Sequence, residues 1–202
     1  MRTGTETERT PKRTRGRPPG FDRETVLHAA GQRFRTHGFA ATSLDELAEA
    51  TGLNRPSLYA AFGDKRALYL AALARTEGWL VRSFAALREA DLPLRAMLER
   101  MFAFTIDVYL SGERGPSGCI ALNTATAEAV TDPEIRAALA RILAIEDREI
   151  EALLAQAGDA AAAAHAPVVA AVLHSLSIRA RAGESKAAMA EIAASCVAMV
   201  AG

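Results

Sequence analysis

The chain has 202 residues, of which 50% are hydrophobic, 5% are aromatic and 24% are charged. Aromatic and β-branched residues are too sparse for a protein built mainly of strands, which excludes an all-β fold. Basic and acidic side chains balance overall, but residues 1–75 hold 13 basic against 8 acidic ones, and the remaining 127 residues hold 11 against 16. This asymmetry favours a polyanion-binding module joined to a domain with another task.

Local sequence patterns argue against several classes of protein. The chain lacks a charged leading segment followed by an apolar stretch and a cleavage site, so we expect no secretion signal and a cytoplasmic location. Its longest uncharged run, residues 160–178, is mostly alanine and too weakly apolar for a membrane span. Cys119 and Cys196 lack CxxC spacing, which argues against a disulfide framework or a structural zinc site. Without a nucleotide-binding, hydrolase or HExxH motif, we expect neither an enzyme nor a cofactor.

Residues 1–20 have no periodic apolar pattern and are rich in Thr, Arg, Pro and Gly, which is typical of a disordered arm. Four basic residues stand close together in it: Lys12, Arg13, Arg15 and Arg17. The Arg-Gly-Arg-Pro segment at 15–18 has the form of a minor-groove hook. A solvated basic tail is the alternative interpretation.

Helix start and stop signals follow one another after this arm. They predict helices from Asp22 to Gly38, from Ser43 to about Ala50, from Asn54 to Gly63 and from Asp64 towards Glu89. Ser43 and Glu46 form a capping box, and Gly52 makes a tight turn before the third helix. Two helices joined in this way are typical of a helix-turn-helix, whose second helix enters the DNA major groove.

The remainder of the chain also has helical periodicity, so the sequence predicts an all-α fold. The further predicted helices run from Pro93 to about Leu110, from Gly118 to about Val130, from Pro133 to about Ala157, from about Pro167 to Ala182 and from Ser185 to Val200. The last two are lined with small residues, so helix backbones can approach closely. In the third of these five helices, we interpret Glu146 and Glu149 as part of a polar stripe beside an apolar one.

Three segments carry a family resemblance. They are Phe-Ala-Ala-Thr-Ser-Leu-Asp-Glu-Leu-Ala at 39–48, Gly-Leu-Asn-Arg-Pro-Ser-Leu-Tyr at 52–59 and Phe-Gly-Asp-Lys-Arg-Ala-Leu at 62–68. Together they resemble the DNA-binding domain of the TetR family of bacterial transcriptional regulators. The match covers about residues 21–75 and aligns three helices and two turns at once.

The resemblance implies a disordered basic arm at 1–20, a helix-turn-helix domain at 21–66 and a ligand-binding and dimerisation domain at 67–202. It further implies a homodimeric repressor that binds a near-palindromic operator in double-stranded DNA and is released by a small-molecule effector. The final two helices would pair with their counterparts, and the fourth would couple the two domains. The alternatives are an effector-independent architectural DNA-binding protein and a thiol-based electrophile or oxidant sensor of the same fold.

The third helix carries the predicted base contacts. On this alignment Arg55 and Ser57 face base edges, and Arg55 can donate two hydrogen bonds to the O6 and N7 atoms of a guanine. Ala60 presents only a methyl group to the DNA. Tyr59, Lys65, Thr42 and Ser43 are placed for phosphates. The candidate DNA-binding residues are Lys12, Arg13, Arg15, Arg17, Thr42, Ser43, Asn54, Arg55, Ser57, Tyr59, Ala60 and Lys65. A solvated helix face is the alternative.

Aromatic and methionine residues at helical spacing between 79 and 109 fit core packing, or together the lining of a ligand cavity. The candidate ligand-binding residues are Trp79, Met101, Phe104, Tyr109, Cys119, Asn123 and His174. Cys119 lies in the first turn of its predicted helix, where the helix dipole favours a thiolate. It is similar to the Gly-Cys of a family branch that includes regulators of electrophile response. A buried filler is the alternative for Cys119.

Overall fold

The computed structural model describes residues 20–112 and 115–202. Lys12, Arg13, Arg15 and Arg17 of the predicted arm therefore lie outside the described residues. Within the described ranges the ordered elements are helices, which confirms the predicted all-α class. The helices are α1 (Arg23–His37), α2 (Leu44–Thr51), α3 (Arg55–Phe62), α4 (Lys65–Glu89), α5 (Leu94–Leu110), a π-helical turn (Ala121–Ala125), α6 (Thr126–Glu128), α7 (Pro133–Gln156), α8 (Ala162–Arg181) and α9 (Lys186–Val200).

The first four helices begin where side-chain oxygens cap exposed backbone amides, as the sequence predicts. Asp22 accepts hydrogen bonds from two amides of α1, and Ser43 and Glu46 form the capping box of α2. Asn54 Oδ1 accepts the Ser57 amide at 2.9 Å, and Asp64 caps α4. These four caps confirm the predicted starts of all four helices.

The α1–α3 unit packs on the first half of α4, around buried Phe34, Leu47 and Leu58. The rest of α4 packs on α7, while α5 lies against α8 and α9. No break in α4 occurs at the predicted boundary between residues 66 and 67, which stays a prediction. None of the helices in the described ranges is long and apolar enough to cross a membrane.

Two helix starts differ from the sequence prediction. α8 begins at Ala162 rather than near Pro167, because the preceding residues are mostly alanine, a strong helix former, and Asp159 binds the Ala161 amide at 2.9 Å. Pro167 lies on the exposed side, where the carbonyl group that loses its helical partner stays near water. The predicted helix after Gly118 starts two residues later, and its first turn is π-helical.

Candidate DNA-reading surface and ligand cavity

The turn between α2 and α3 leaves one face of α3 exposed. Buried Leu58 fixes α3 on the unit, and Gly52 ends α2 with a left-handed φ of +68°. Arg55, Tyr59 and Ala60 are consequently exposed, and Ser57 is half-buried. Three of the four α3 residues predicted to face DNA therefore share a solvent-facing surface.

Arg55 is held by an ion pair with Asp45 of α2. Its Nε donates to Asp45 Oδ1 at 2.7 Å, and its terminal nitrogen binds the second carboxylate oxygen. The pair lowers the pKa of Asp45 and raises that of Arg55. Because half of the Arg55 side chain remains exposed, the guanidinium is charged and accessible at the start of α3.

Thr42 and Lys65, both predicted to contact phosphates, make hydrogen bonds within the chain, and their predicted roles in binding DNA stay predictions. Thr42 is buried, and its hydroxyl donates to the Gly38 carbonyl oxygen at 2.6 Å. The Lys65 ammonium donates to the carbonyl oxygens of Phe39, Ala40 and Thr42 and lies over the Phe39 ring. Thr42 and Lys65 thus hold the loop before α2 against the start of α4.

Ser43 and Asn54 are exposed, and both act as helix caps. The hydroxyl oxygen of Ser43 accepts the Glu46 amide, so its oxygen is already engaged at the start of α2. Their predicted roles in binding DNA stay predictions.

A cavity of about 390 Å³ lies between α4 and α5. Its lining includes five of the predicted ligand-binding residues, one of which is Cys119 from the loop before the π-helical turn. The lining residues are Thr76, Trp79, Leu80, Arg82, Ser83, Phe84, Ala86, Leu87, Arg100, Met101, Phe104, Thr105, Tyr109, Cys119, Glu146 and Leu173. Trp79 and Phe104 stack with their ring centroids 6.1 Å apart. The exposed residues Arg82, Arg100 and Phe104 mark the side on which the cavity opens to solvent.

Asn123 and His174, also predicted to bind ligand, are not in this lining. The Asn123 amide nitrogen donates to the Ser117 carbonyl oxygen and to Ser177 Oγ, so it braces the loop that carries Cys119. His174 Nε2 lies 2.8 Å from Glu146 Oε2. His174 therefore reaches the cavity through Glu146 rather than directly.

Glu146 is a cavity residue that the sequence interpretation missed. The structure buries both Glu146 and Glu149, so the interpretation of these residues as a polar stripe is wrong. Glu146 lies one helical turn from Ile142 and from Ile150, both of which are buried. This register with the apolar stripe was the signal that could have identified it.

The structure corrects the expectation of a thiolate at Cys119. Burial raises the pKa of the Cys119 thiol to about 11, and the negative charge of Glu146 acts in the same direction. Backbone amides of the following turn oppose this shift but are outweighed. The thiol is therefore protonated at neutral pH, and we expect it to be less reactive than a free cysteine.

Several contacts join the α1–α3 unit and the start of α4 to the other described helices. Arg35 of α1 is buried, and its Nε donates to Ser117 Oγ at 2.6 Å, two residues before Cys119. Arg66 of α4 binds Asp132, the cap of α7, with a terminal nitrogen 2.8 Å from Oδ1. The Tyr69 hydroxyl is hydrogen-bonded to Thr124 of the π-helical turn. The loop beside the cavity is thus bonded to the unit that carries α3.

Comparisons with known proteins agree on one family. Residues 26–72 match the family model of the bacterial regulatory proteins, tetR family. Over 150 residues the chain is 35% identical to the HTH-type transcriptional repressor ComR of Escherichia coli (strain K12), which covers 72% of this chain and 69% of ComR.

Two solved structures are similar over most of the chain. One is a cysteine-substituted variant of the TetR-family regulator CifR in complex with a 26-base-pair operator DNA. It is 28% identical with a TM-score of 0.73, and the match covers 90% of this chain and 98% of that one. The reduced form of Escherichia coli NemR is 18% identical with a TM-score of 0.72, over 88% and 94% of the two chains, and supports the fold alone. On its helix-turn-helix geometry and on these matches together, the chain belongs to the TetR family of bacterial transcriptional regulators.

Proposed function

We propose that this DNA-binding regulator is a homodimeric repressor that binds a near-palindromic operator through α3 and is released when a small molecule fills the cavity between α4 and α5. The observation that carries the proposal is that α4 belongs to both sites. Its first residues pack against α3, and Trp79 to Leu87, further along the same helix, line the cavity. A ligand that prefers one tilt of α4 would change operator affinity through that preference.

Exposed apolar side chains on α8 and α9 support the dimer. Val168 and Ile178 of α8 and Met199 of α9 are 43%, 61% and 68% exposed in the single chain. Ala171 and Ala194 are exposed on the same two helices, which allows close approach of a second copy. Ala193, by contrast, is buried within the chain and is unavailable for such a contact.

The role of α3 is tested with Arg55→Ala on an operator selected from random DNA. Loss of a base contact should weaken specific binding by roughly 1 to 3 kcal/mol and relax the preference at one base pair per half-site. Arg141→Ala, which removes the same charge from an exposed position on α7, is the control. Equal weakening of operator and random duplexes would assign Arg55 to a phosphate instead.

Ligand response is tested by screening compounds for a change in the fluorescence of Trp79, the one tryptophan of the chain, and then for release of the selected operator. We expect the compounds that bind the cavity to weaken operator binding. If compounds bind there and operator affinity stays constant, the chain is an effector-independent DNA-binding protein.

A further inference from the structure

Glu146 is the buried charge of the cavity. Its side chain is 5% exposed, yet it lies in the lining, together with Tyr109 and Cys119. The pKa values of Tyr109 and Cys119 are raised in part by its negative charge, so the three groups are electrostatic neighbours. Two polar groups of the lining therefore lie near a buried carboxylate.

The protein binds one oxygen of this carboxylate. Within residues 20–112 and 115–202, His174 is its one hydrogen-bond partner, and it binds Oε2. The second oxygen, Oε1, is left to accept a hydrogen bond from whatever occupies the cavity. A buried carboxylate lacking a full set of partners is costly, so a donor that also carries positive charge gives the largest gain in stability.

The two arginines of the lining do not reverse the preference of the cavity for a positively charged donor. Arg82 and Arg100 are exposed and stand where the cavity opens to solvent. Charges in contact with water contribute little to an ion pair, whereas a charge removed from water contributes much more. This difference in exposure favours a ligand of positive charge.

The rest of the lining determines the body of the ligand. Trp79, Phe104, Met101 and Phe84 give the cavity apolar walls, and the stacked Trp79 and Phe104 rings present faces that favour a flat ring or a nearby cation. A volume of about 390 Å³ is within the range of small-molecule sites.

We propose that the cavity binds a protonated organic amine, whose ammonium group donates to Glu146 Oε1 while its flat apolar body lies along Trp79 and Phe104. This inference rests on the proposed function in one respect, that the cavity is the effector site. It goes further by assigning the charge, the head group and the anchoring residue of the effector class.

Three probes with the same body and different head groups test the proposal: phenylbutylamine, phenylbutanol and phenylbutanoate. Each is titrated into the full-length protein at neutral pH, and binding is followed by Trp79 fluorescence. We expect the amine to bind at least about tenfold more tightly than the alcohol and the carboxylate. An amine that binds no more tightly than the alcohol, or less tightly than the carboxylate, overturns the proposal.

Glu146→Gln keeps the size of the side chain and removes its charge. We expect it to abolish the preference for the amine and to leave alcohol binding within about twofold. Glu151→Gln, the same substitution at an exposed position of α7, should retain the preference. If Glu146→Gln retains it as well, Glu146 is not the anchor. Should that variant fail to fold, the comparison of the three probes on the unsubstituted protein still decides the charge preference.

Operator release by the same probes separates this proposal from the proposed function. Amine binding that depends on Glu146 but leaves the operator bound supports the cation site and contradicts ligand response. Release by the alcohol or the carboxylate, with no tighter binding of the amine, supports ligand response and overturns the cation site.

Discussion

Gly118 sets the path of the loop beside the cavity, and replacing it with alanine tests how tightly that loop is packed. Its φ is +62°, a backbone conformation that L side chains rarely adopt. An added Cβ would overlap Asn123 Nδ2 and lie 2.6 Å from the Ser177 carbonyl oxygen and 2.8 Å from the Ser177 hydroxyl oxygen. Because one of these atoms belongs to the backbone of α8, a simple side-chain rotation cannot relieve the overlap.

Two effects should lower the free energy of unfolding of Gly118→Ala: the left-handed backbone conformation and the crowding of the added Cβ. A left-handed conformation costs an L residue about 1 to 2 kcal/mol. Crowding against atoms that cannot move freely adds about 1 to 3 kcal/mol, giving a total of about 2 to 5 kcal/mol. Gly158→Ala is the matched control, since Gly158 has a φ of +87° and no heavy atom within 4 Å of an added Cβ. It should incur only the conformational cost.

The assay is urea unfolding of both variants at the same protein concentration, followed by helical circular dichroism. We expect Gly118→Ala to lower the free energy of unfolding by about 1 to 3 kcal/mol more than Gly158→Ala does. Equal losses would mean that the loop moves away from α8 without cost. In that case the packing argument for the loop would be wrong.

Three further outcomes follow from other parts of the structure. Ala194→Arg places a charge on the exposed side of α9, and light scattering should report monomers with weakened operator binding, whereas an intact dimer would place the interface elsewhere. The ion pair with Arg66 lowers the pKa of Asp132, so the contribution of this pair to the free energy of unfolding is present above the unfolded pKa of about 4 and is lost as the pH falls further. The difference in free energy of unfolding between wild type and Asp132→Asn should therefore become smaller in acid. A difference that stays constant with pH would contradict this. With a pKa of about 11, roughly one Cys119 thiol in ten thousand is ionised at pH 7, so alkylation should be slower than that of a free cysteine peptide and should accelerate as the pH rises. Faster alkylation than the peptide would restore the thiol-sensor alternative.

Local signals account for most of the fold that the sequence predicted. The capping residues Asp22, Ser43 and Asn54 act within three residues of themselves, so their effect on helix starts is readable from spacing alone. The sequence prediction started α8 near Pro167 because proline is common at helix starts and rare inside helices. The alanines before Pro167 are strong helix formers, and α8 begins among them at Ala162. The contacts of Lys65 within the chain could not be predicted, because its three carbonyl partners belong to a loop more than 20 residues earlier, and such a contact leaves no local pattern.

The candidate cavity was predictable in part. Helical spacing identified Trp79, Met101, Phe104 and Tyr109 as a group, and the structure brings them together. Glu146 was not identified as a cavity residue because a carboxylate in a helix is usually exposed to solvent. Its spacing of four residues from the buried Ile142 and Ile150 nevertheless places it on the buried side of α7. The tertiary arrangement of α4, α5 and α7 decides which polar group the apolar wall encloses, and this arrangement cannot be obtained from the pattern of any single helix.

The continuity of α4 has a mechanical consequence. Trp79 stands fourteen residues after Lys65, the first residue of the helix, so the two lie about 21 Å apart along its axis. A helix of this length acts as a stiff rod, and a tilt of about 5° about one of these points displaces the other by about 2 Å. In a two-fold dimer the displacement occurs in both copies, so the separation of the two α3 helices can change by up to twice that amount. DNA presents successive major-groove faces about 34 Å apart. A change of about 4 Å in the separation of the two α3 helices is larger than the range of about 0.5 Å over which hydrogen bonds to base edges form.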